Sequence, residues 1–354
     1  MPLDATRAEI DATPAAMSRA LETLAEQVRD LATALVLRQI ARVAIVGSGD
    51  SLAAGMMAAS GFTQFADKPA DAVQAYEYAT YGYADFGRDR AAVLISSSGR
   101  PSPTRDALTR ALAGDAFVIG ISDRPGPDNP FLRRPSYALC PGAAKRGLPT
   151  QSTSVTLAVL LLLAIEWALV LGQAGAETAL KELRIMPKRL DFVRLTHGAA
   201  ARAIGATLTT WRRIHIVGAG PNVGTAHAGA LLLAGGAGLS AVPHAVEEFH
   251  HALKLASLTE CDLVLVLAPP GARAEARLVK TAATVKARGA HVVVLGMGLG
   301  GSLELPLPHT PEALSPLLLL SLLQQMALGA SLSVADDPVN PFRTRSFAPT
   351  CRTS

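Results

Sequence analysis

Short uninterrupted apolar runs alternate along this chain with longer stretches whose apolar residues recur every three or four positions. The runs VAIVG, AVLIS, FVIG, HIVG, LVLVLA and VVVLG have the length of fully buried strands. PTRDALTRALA and ARAEARLVKTAATVKARG have the spacing of amphipathic helices. Strands of this kind separated by helices predict a parallel sheet covered on both faces.

The pattern is written twice. RVAIVGSGDSLAAGMMAA begins at Arg42 and RIHIVGAGPNVGTAHAGALLLA at Arg213, and Gly218 stands 171 residues after Gly47. Each half continues with a second strand, AAVLISSSG ending at Gly99 and DLVLVLAPPG ending at Gly271. A third strand follows in each, around Gly120 and Gly296. The expected fold is therefore α/β, two tandem doubly wound, flavodoxin-like parallel sheets. A helical lead-in is expected over 1–34, a first domain over 35–172 and bridging helices over 173–205. A second domain is expected over 206–332 and a C-terminal tail over 333–354.

Two segments are apolar enough to test as membrane spans. VTLAVLLLLAIEWALVLG is interrupted by Glu166, and LSPLLLLSLLQQMALGASL by Gln324 and Gln325. Both are expected to be buried helices of the core. The 33 basic residues are scattered and the net charge is only +4, so no nucleic-acid tail is expected. Three distant cysteines without a CxxC pair point away from a disulfide framework or a zinc site and towards a reducing, cytoplasmic setting. The N-terminal stretch has early acids and no apolar core, unlike a secretory signal.

Ligands of open α/β sheets sit beyond the carboxyl ends of the strands. In the first half the loops there are GSGDS and SSSGRPSPT; in the second they are GAGPN and APPG. A dinucleotide fingerprint is incomplete, because Leu52 and Val223 stand where its third glycine belongs. The serine loop suits a phosphate monoester better. Ser96, Ser97, Ser98, Ser102 and Thr104 supply hydroxyls, Gly99 lets the backbone approach, and Ser48 and Ser51 lie in the neighbouring loop. APPG offers no hydroxyl, and its prolines lack N–H donors.

Strand-G-x-G-x-S followed by strand-S-x-S-G, in a duplicated chain, resembles the sugar isomerase (SIS) domain family. The double arrangement is similar to the isomerase half of glucosamine-6-phosphate synthase, to ketose/aldose phosphosugar isomerases and to fructosamine-6-phosphate deglycases. EIDATP, RGLPTQSTSVT, AVEEFHHA and DDPVNPFRTRSF echo further family segments. The resemblance implies phosphate contacts from Ser51, Ser96, Ser97 and Ser98, and a sugar contact from Thr150. It implies ring opening by His251, donated across a dimer interface, with Glu248 in the same segment. No cofactor, no metal and no glutaminase domain are expected.

The departures define the alternatives. Isomerising members carry a proton-shuttling Glu where this chain has Gly235, and an earlier lysine where it has Leu232. The tail lysine of aminotransferring members is missing, with Arg343 or Arg345 in its place. Pro101 replaces a hydroxyl residue of the phosphate loop. Glu247 and Glu248 remain as shuttle candidates. On a helix, Glu247 would face His250 and His251, and His244 would face Glu248. The expected activity is isomerisation, deglycation or deamination at C1–C2 of a sugar 6-phosphate. The alternatives are a catalytically silent sugar-phosphate sensor and a carbon–nitrogen lyase on the same scaffold.

Overall fold

The computed structural model describes residues 3–82, 87–251, 254–298 and 303–336. Helices α1 (Leu3–Thr23) and α2 (Ala25–Leu37) lead into the first half. That half runs β1 (Arg42–Gly47), α3 (Asp50–Ala66), β2 (Ala70–Gln74), α4 (Ala75–Tyr81) and β3 (Arg90–Ile95), then α5 (Ser102–Ala113), β4 (Phe117–Ile121), α6 (Pro130–Arg133), β5 (Tyr137–Leu139) and α7 (Gln151–Val170). The long helix α8 (Ala176–Thr207) crosses to the second half. There β6 (Arg213–Gly218), α9 (Asn222–Ala237), β7 (Ala241–Ala245) and α10 (Val246–His251) precede β8 (Asp262–Ala268), α11 (Glu275–Ala287), β9 (His291–Gly296), β10 (Leu303–Pro306) and α12 (Ser315–Asp336).

Each half holds a five-stranded sheet, ordered β2-β1-β3-β4-β5 and β7-β6-β8-β9-β10. Every pairing is parallel. The interior strands β4 and β8 are buried at every position, whereas the edge strands β2 and β7 are mostly half-buried. This is the α/β architecture that the apolar runs predict. Connections leave β1 towards β2 on one side and towards β3 on the other, so the order reverses between β1 and β3, and again between β6 and β8. Crevices open at such points.

The two apolar segments are core helices. In α7 and in the stretch 312–335, 89% of the most apolar window is buried. A helix that is apolar all round must be covered all round, and α7 is covered by α1, α2, α3 and α8. One apolar cluster runs through both halves, from Met17 and Leu31 to Leu318 and Met326. The outer face of each sheet carries its own smaller cluster. The halves meet where α9 crosses α3. A Cβ on Gly224 would lie 2.6 Å from the backbone nitrogen of Met57, so this approach admits only glycine.

The interrupting polar residues are used. Gln324 of α12 donates to the carbonyl of Thr150 and to the hydroxyl of Ser154, both at 3.0 Å. Glu166 of α7 faces Arg29 of α2 at 3.3 Å.

Candidate active site

In the first half the loops after β1 and β3 flank the reversal point. Gly49 precedes α3 with φ +56° and no side-chain cap, and Pro101 precedes α5, also uncapped. Uncapped helix starts leave backbone N–H groups open to an anion. Pro103 removes one such donor from α5, so Ser102 and Thr104 carry the open N–H groups of its first turn. Gly99 is left-handed (φ +65°), and a Cβ there would meet Asn129 Oδ1 at 2.5 Å. Its N–H reaches both the carbonyl and the hydroxyl oxygen of Ser96, each at 3.2 Å.

The hydroxyls in this crevice are not equivalent. Ser96 and Ser51 are buried, Ser97 is half-buried, and Ser98 and Ser102 are exposed. Ser98 Oγ accepts from the Arg100 N–H at 3.4 Å. Ser97 donates its hydroxyl proton to Asp123 Oδ2 at 2.6 Å. Thr104 is buried in the first turn of α5.

Asp123, in the loop after β4, belongs to none of the sequence motifs. Its other oxygen accepts the Ala143 N–H at 3.1 Å. Burial pushes its carboxyl up to about 6, against the lowering effect of the Ser97 and Ala143 hydrogen bonds and of Lys145. Asp123 therefore ties the serine loop to the loop preceding α7.

That second loop is held almost entirely by side-chain acceptors. Ala144 N–H donates to Gln151 Oε1 at 2.8 Å, and Leu148 N–H to Thr6 Oγ1 at 3.0 Å. The Arg146 and Gly147 N–H groups both donate to the Glu9 carboxylate of α1. Lys145 forms an ion pair with Asp50 of the first G-x-G loop at 2.8 Å. The EIDATP segment is thus structural, since its glutamate and the preceding threonine fix the loop that delivers Thr150. Among the described residues, Thr150 Oγ1 and Ser152 Oγ are buried without a protein hydrogen-bond partner. Buried hydroxyls normally have one, which makes these two available to a ligand. Gly235 of α9 faces the same loop, with a built Cβ 3.6 Å from Leu148 Cδ2.

The corresponding crevice of the second half is filled by the chain itself. Asn222 at the start of α9 donates to Ser315 Oγ at 2.9 Å and accepts from Thr225 Oγ1. Glu312 Oε1 accepts the Arg273 N–H at 3.3 Å, and a Cβ on Gly220 would lie 3.7 Å from the same oxygen. A carboxylate of the chain thus stands between the loops following β6 and β8.

Glu247, Glu248 and His251 lie on α10 and are exposed. That helix packs on β6, β7 and α11 of its own half. Glu247 and His250 remain helical neighbours, and the Glu247 charge acts on His250, but the expected pairing of His244 with Glu248 is corrected by the structure. Glu247 binds Arg277 of α11 at 2.7 Å, and His250 Nε2 meets Thr281 Oγ1 at 2.7 Å. His244 is not helical. It lies in β7, and its Nε2 faces His215 Nδ1 at 3.0 Å instead of Glu248. The strand alternation carries His244 inward, where it packs on Phe249. Burial, then His215, Lys254 and His227, push His244 down to about 4. His215 is also lowered, chiefly by burial. Arg343 and Arg345 lie outside the described residues. Among the described residues, no three His, Cys, Asp or Glu side chains stand together as metal ligands.

The SIS domain family matches residues 36–166 and 207–304, one match per half. Over 341 residues, 94% of this chain, the sequence is 27% identical to a glutamine–fructose-6-phosphate aminotransferase (isomerizing) of Thermococcus kodakarensis, of which 56% is covered. The chain spans about half the length of the curated relatives it matches. The C-terminal domain of a Francisella tularensis glucosamine-fructose-6-phosphate aminotransferase superposes with a TM-score of 0.82 at 18% identity, covering 93% of this chain and 95% of that one. The tagatose-6-phosphate ketose/aldose isomerase of Escherichia coli gives 0.80 at 19% identity, covering 95% and 94%. At these identities the superpositions show the shared fold.

Proposed function

The chain belongs to the SIS domain family, and on that premise we propose that it binds a sugar 6-phosphate in the first half and catalyses proton transfer at C1–C2. The observation that carries this reading is the asymmetry of the two crevices. The second is closed by Glu312 and Asn222, whereas the first is lined by the hydroxyls of the serine loop, with uncapped helix starts in both halves. In this reading Ser51, Ser96, Ser97, Ser98, Ser102 and Thr104 receive the phosphate. Thr150, with its unpartnered buried hydroxyl, receives the sugar. Arg343 and Arg345, outside the described residues, are kept as ligand-binding candidates on the resemblance alone.

His251 acts in ring opening, and Glu248 or Glu247 takes the carbon-bound proton. A positioned base contributes about 10²–10⁴-fold. Glu247 is engaged by Arg277, which leaves Glu248 as the freer carboxylate. The serine loop and α10 belong to different halves, which suits a homodimer in which one copy completes the site of the other. The setting is cytoplasmic. Isomerisation is the leading reaction, with deglycation as its nitrogen-bearing variant.

Gly235 favours a second reading, a sensor that binds without turnover, because it places no carboxylate opposite Leu148. A carbon–nitrogen lyase would use the same crevice. Proton NMR in D₂O with a panel of hexose and amino-sugar 6-phosphates separates these readings. Deuterium entering at C1 or C2 supports the isomerase. Saturable binding without exchange supports the sensor.

A further inference from the structure

Asp123 accepts the only proton that the Ser97 hydroxyl can donate. A hydroxyl whose proton points at a carboxylate turns its lone pairs outward, which is the wrong polarity for a dianionic phosphate. The contact therefore constrains the state in which the serine loop can use Ser97.

Several neighbours shape the charge at Asp123. The loop after β5 brings Lys145 and the half-buried Cys140, whose Sγ lies 3.9 Å from the Asp123 carbonyl. Lys145 is already paired with Asp50 from the start of α3. The adjacent Arg124 is committed to Asp128 at 3.1 Å, and the serine loop adds Arg100, which is exposed. None of these cations contacts the Asp123 carboxylate directly. Burial dominates its electrostatics and holds it at about 6, within reach of neutral pH. A phosphate dianion arriving beside it adds further negative charge and favours the protonated carboxyl.

We infer that Asp123 is a positioning residue that sets the donor direction of Ser97, so that a phosphate dianion enters the serine loop together with one proton taken from solvent. On protonation, the Asp123 hydroxyl donates to Ser97 Oγ, and the Ser97 proton turns to a phosphate oxygen. Ala143 N–H stays on the other carboxyl oxygen throughout. The inference rests on the reading of the serine loop as a phosphate site.

Fructose 6-phosphate is the probe, titrated calorimetrically from pH 6 to 8.5 in buffers of different ionisation enthalpy. Above pH 7.5 the ligand is fully dianionic, since its second pKa is about 6, so uptake there comes from the protein. The wild type takes up about half a proton or more at pH 7.5, and its affinity falls by up to about tenfold per pH unit above 7. Asp123→Asn satisfies both contacts permanently, its Oδ1 accepting from Ala143 and its amide donating to Ser97. From pH 7.5 to 8.5 it binds without proton uptake and with a flat profile, any slope at lower pH being the ligand's own second ionisation. Ser97→Ala supplies a second readout: its loss of affinity is large at pH 6 and closes towards pH 8.5, where a merely structural role would give a constant gap. Binding with no uptake in the wild type, or with a pH slope retained above pH 7.5 in Asp123→Asn, overturns the inference and leaves the phosphate reading standing. Failure of fructose 6-phosphate to bind either protein overturns both.

Discussion

Glu9 holds Gly147, distant in the chain, by accepting its backbone N–H at 3.3 Å on a carboxylate that is only 5% exposed. The same carboxylate takes the Arg146 N–H. The buried Gly147 donor and the part-buried Arg146 donor of the Thr150 loop thus depend on one side chain of the lead-in helix. Glu9→Ala orphans the Gly147 N–H at a cost of about 1–3 kcal/mol, with a smaller loss at Arg146. The expected outcome is a lower denaturation midpoint and weaker binding of fructose 6-phosphate. Glu9→Gln, which keeps one acceptor oxygen, recovers part of both. Urea titration and calorimetry check this.

Gly99 gives a sharper case. Its backbone is left-handed, and any Cβ meets Asn129 Oδ1 at 2.5 Å. Gly99→Ala is expected to cost about 1–2 kcal/mol from the backbone conformation alone. Asn129 must also shift, and it holds Ser122 and the Arg124 carbonyl. Ligand affinity is therefore expected to fall further than for an equally destabilised variant elsewhere, such as Leu160→Ala in the core of α7. Comparing the two variants at matched stability tests this.

The buried pair His215–His244 predicts a stability profile. A histidine held near 4 in the fold and about 6.5 when unfolded favours the neutral, folded state. Its contribution is complete above pH 6.5 and is lost as pH falls from 6.5 towards 4. Asp123 acts in the opposite sense: with a folded value of about 6 its contribution is present below its unfolded value near 4 and is lost as pH rises through 6. The histidine effect is therefore read as the difference between wild type and His244→Gln. Denaturation midpoints measured from pH 7.5 to 4.5 should fall more steeply in the wild type.

Gly235 can be refilled. A built Cβ there makes only ordinary contact with Leu148, and replacing a glycine in the last turn of α9 gains up to about 1 kcal/mol of helix propensity, which covers the roughly 0.3–1 kcal/mol that an acid loses against the helix dipole there. Gly235→Glu is expected to fold with an unchanged or raised melting temperature. It restores the carboxylate that the family resemblance places at this position. Its rate of deuterium incorporation into fructose 6-phosphate should exceed that of the wild type.

The fold was legible because its signals are local. Buried parallel strands read as continuous apolar runs, and Gly47 and Gly218 mark equivalent turns in the two halves. The crevice loops followed from their place after those strands. What the sequence concealed was the long-range polar wiring. Asp123 sits in an ordinary-looking turn, SDRPGPDN, and matters only because β4 lies beside β3 and brings it to Ser97. Gln324 looked like a mere interruption of an apolar helix, although it fastens Thr150. Glu312 gave no sign that it fills the second crevice. The stretch HAVEEFHHALK misled because helical spacing was extended back over His244, whereas the β7 pairing claims that residue and turns it inward.

The central claim is that the serine loop grips a phosphate. It is tested most directly by comparing fructose 6-phosphate with unphosphorylated fructose on the wild type and on Ser96→Ala, by calorimetry at pH 6.5. Saturable binding is expected of the phosphorylated sugar only. In Ser96→Ala the affinity should fall by about tenfold or more, the equivalent of one hydrogen bond to a charged group at about 1.5–3 kcal/mol. Equal binding of fructose and fructose 6-phosphate, or full affinity in Ser96→Ala, would contradict it.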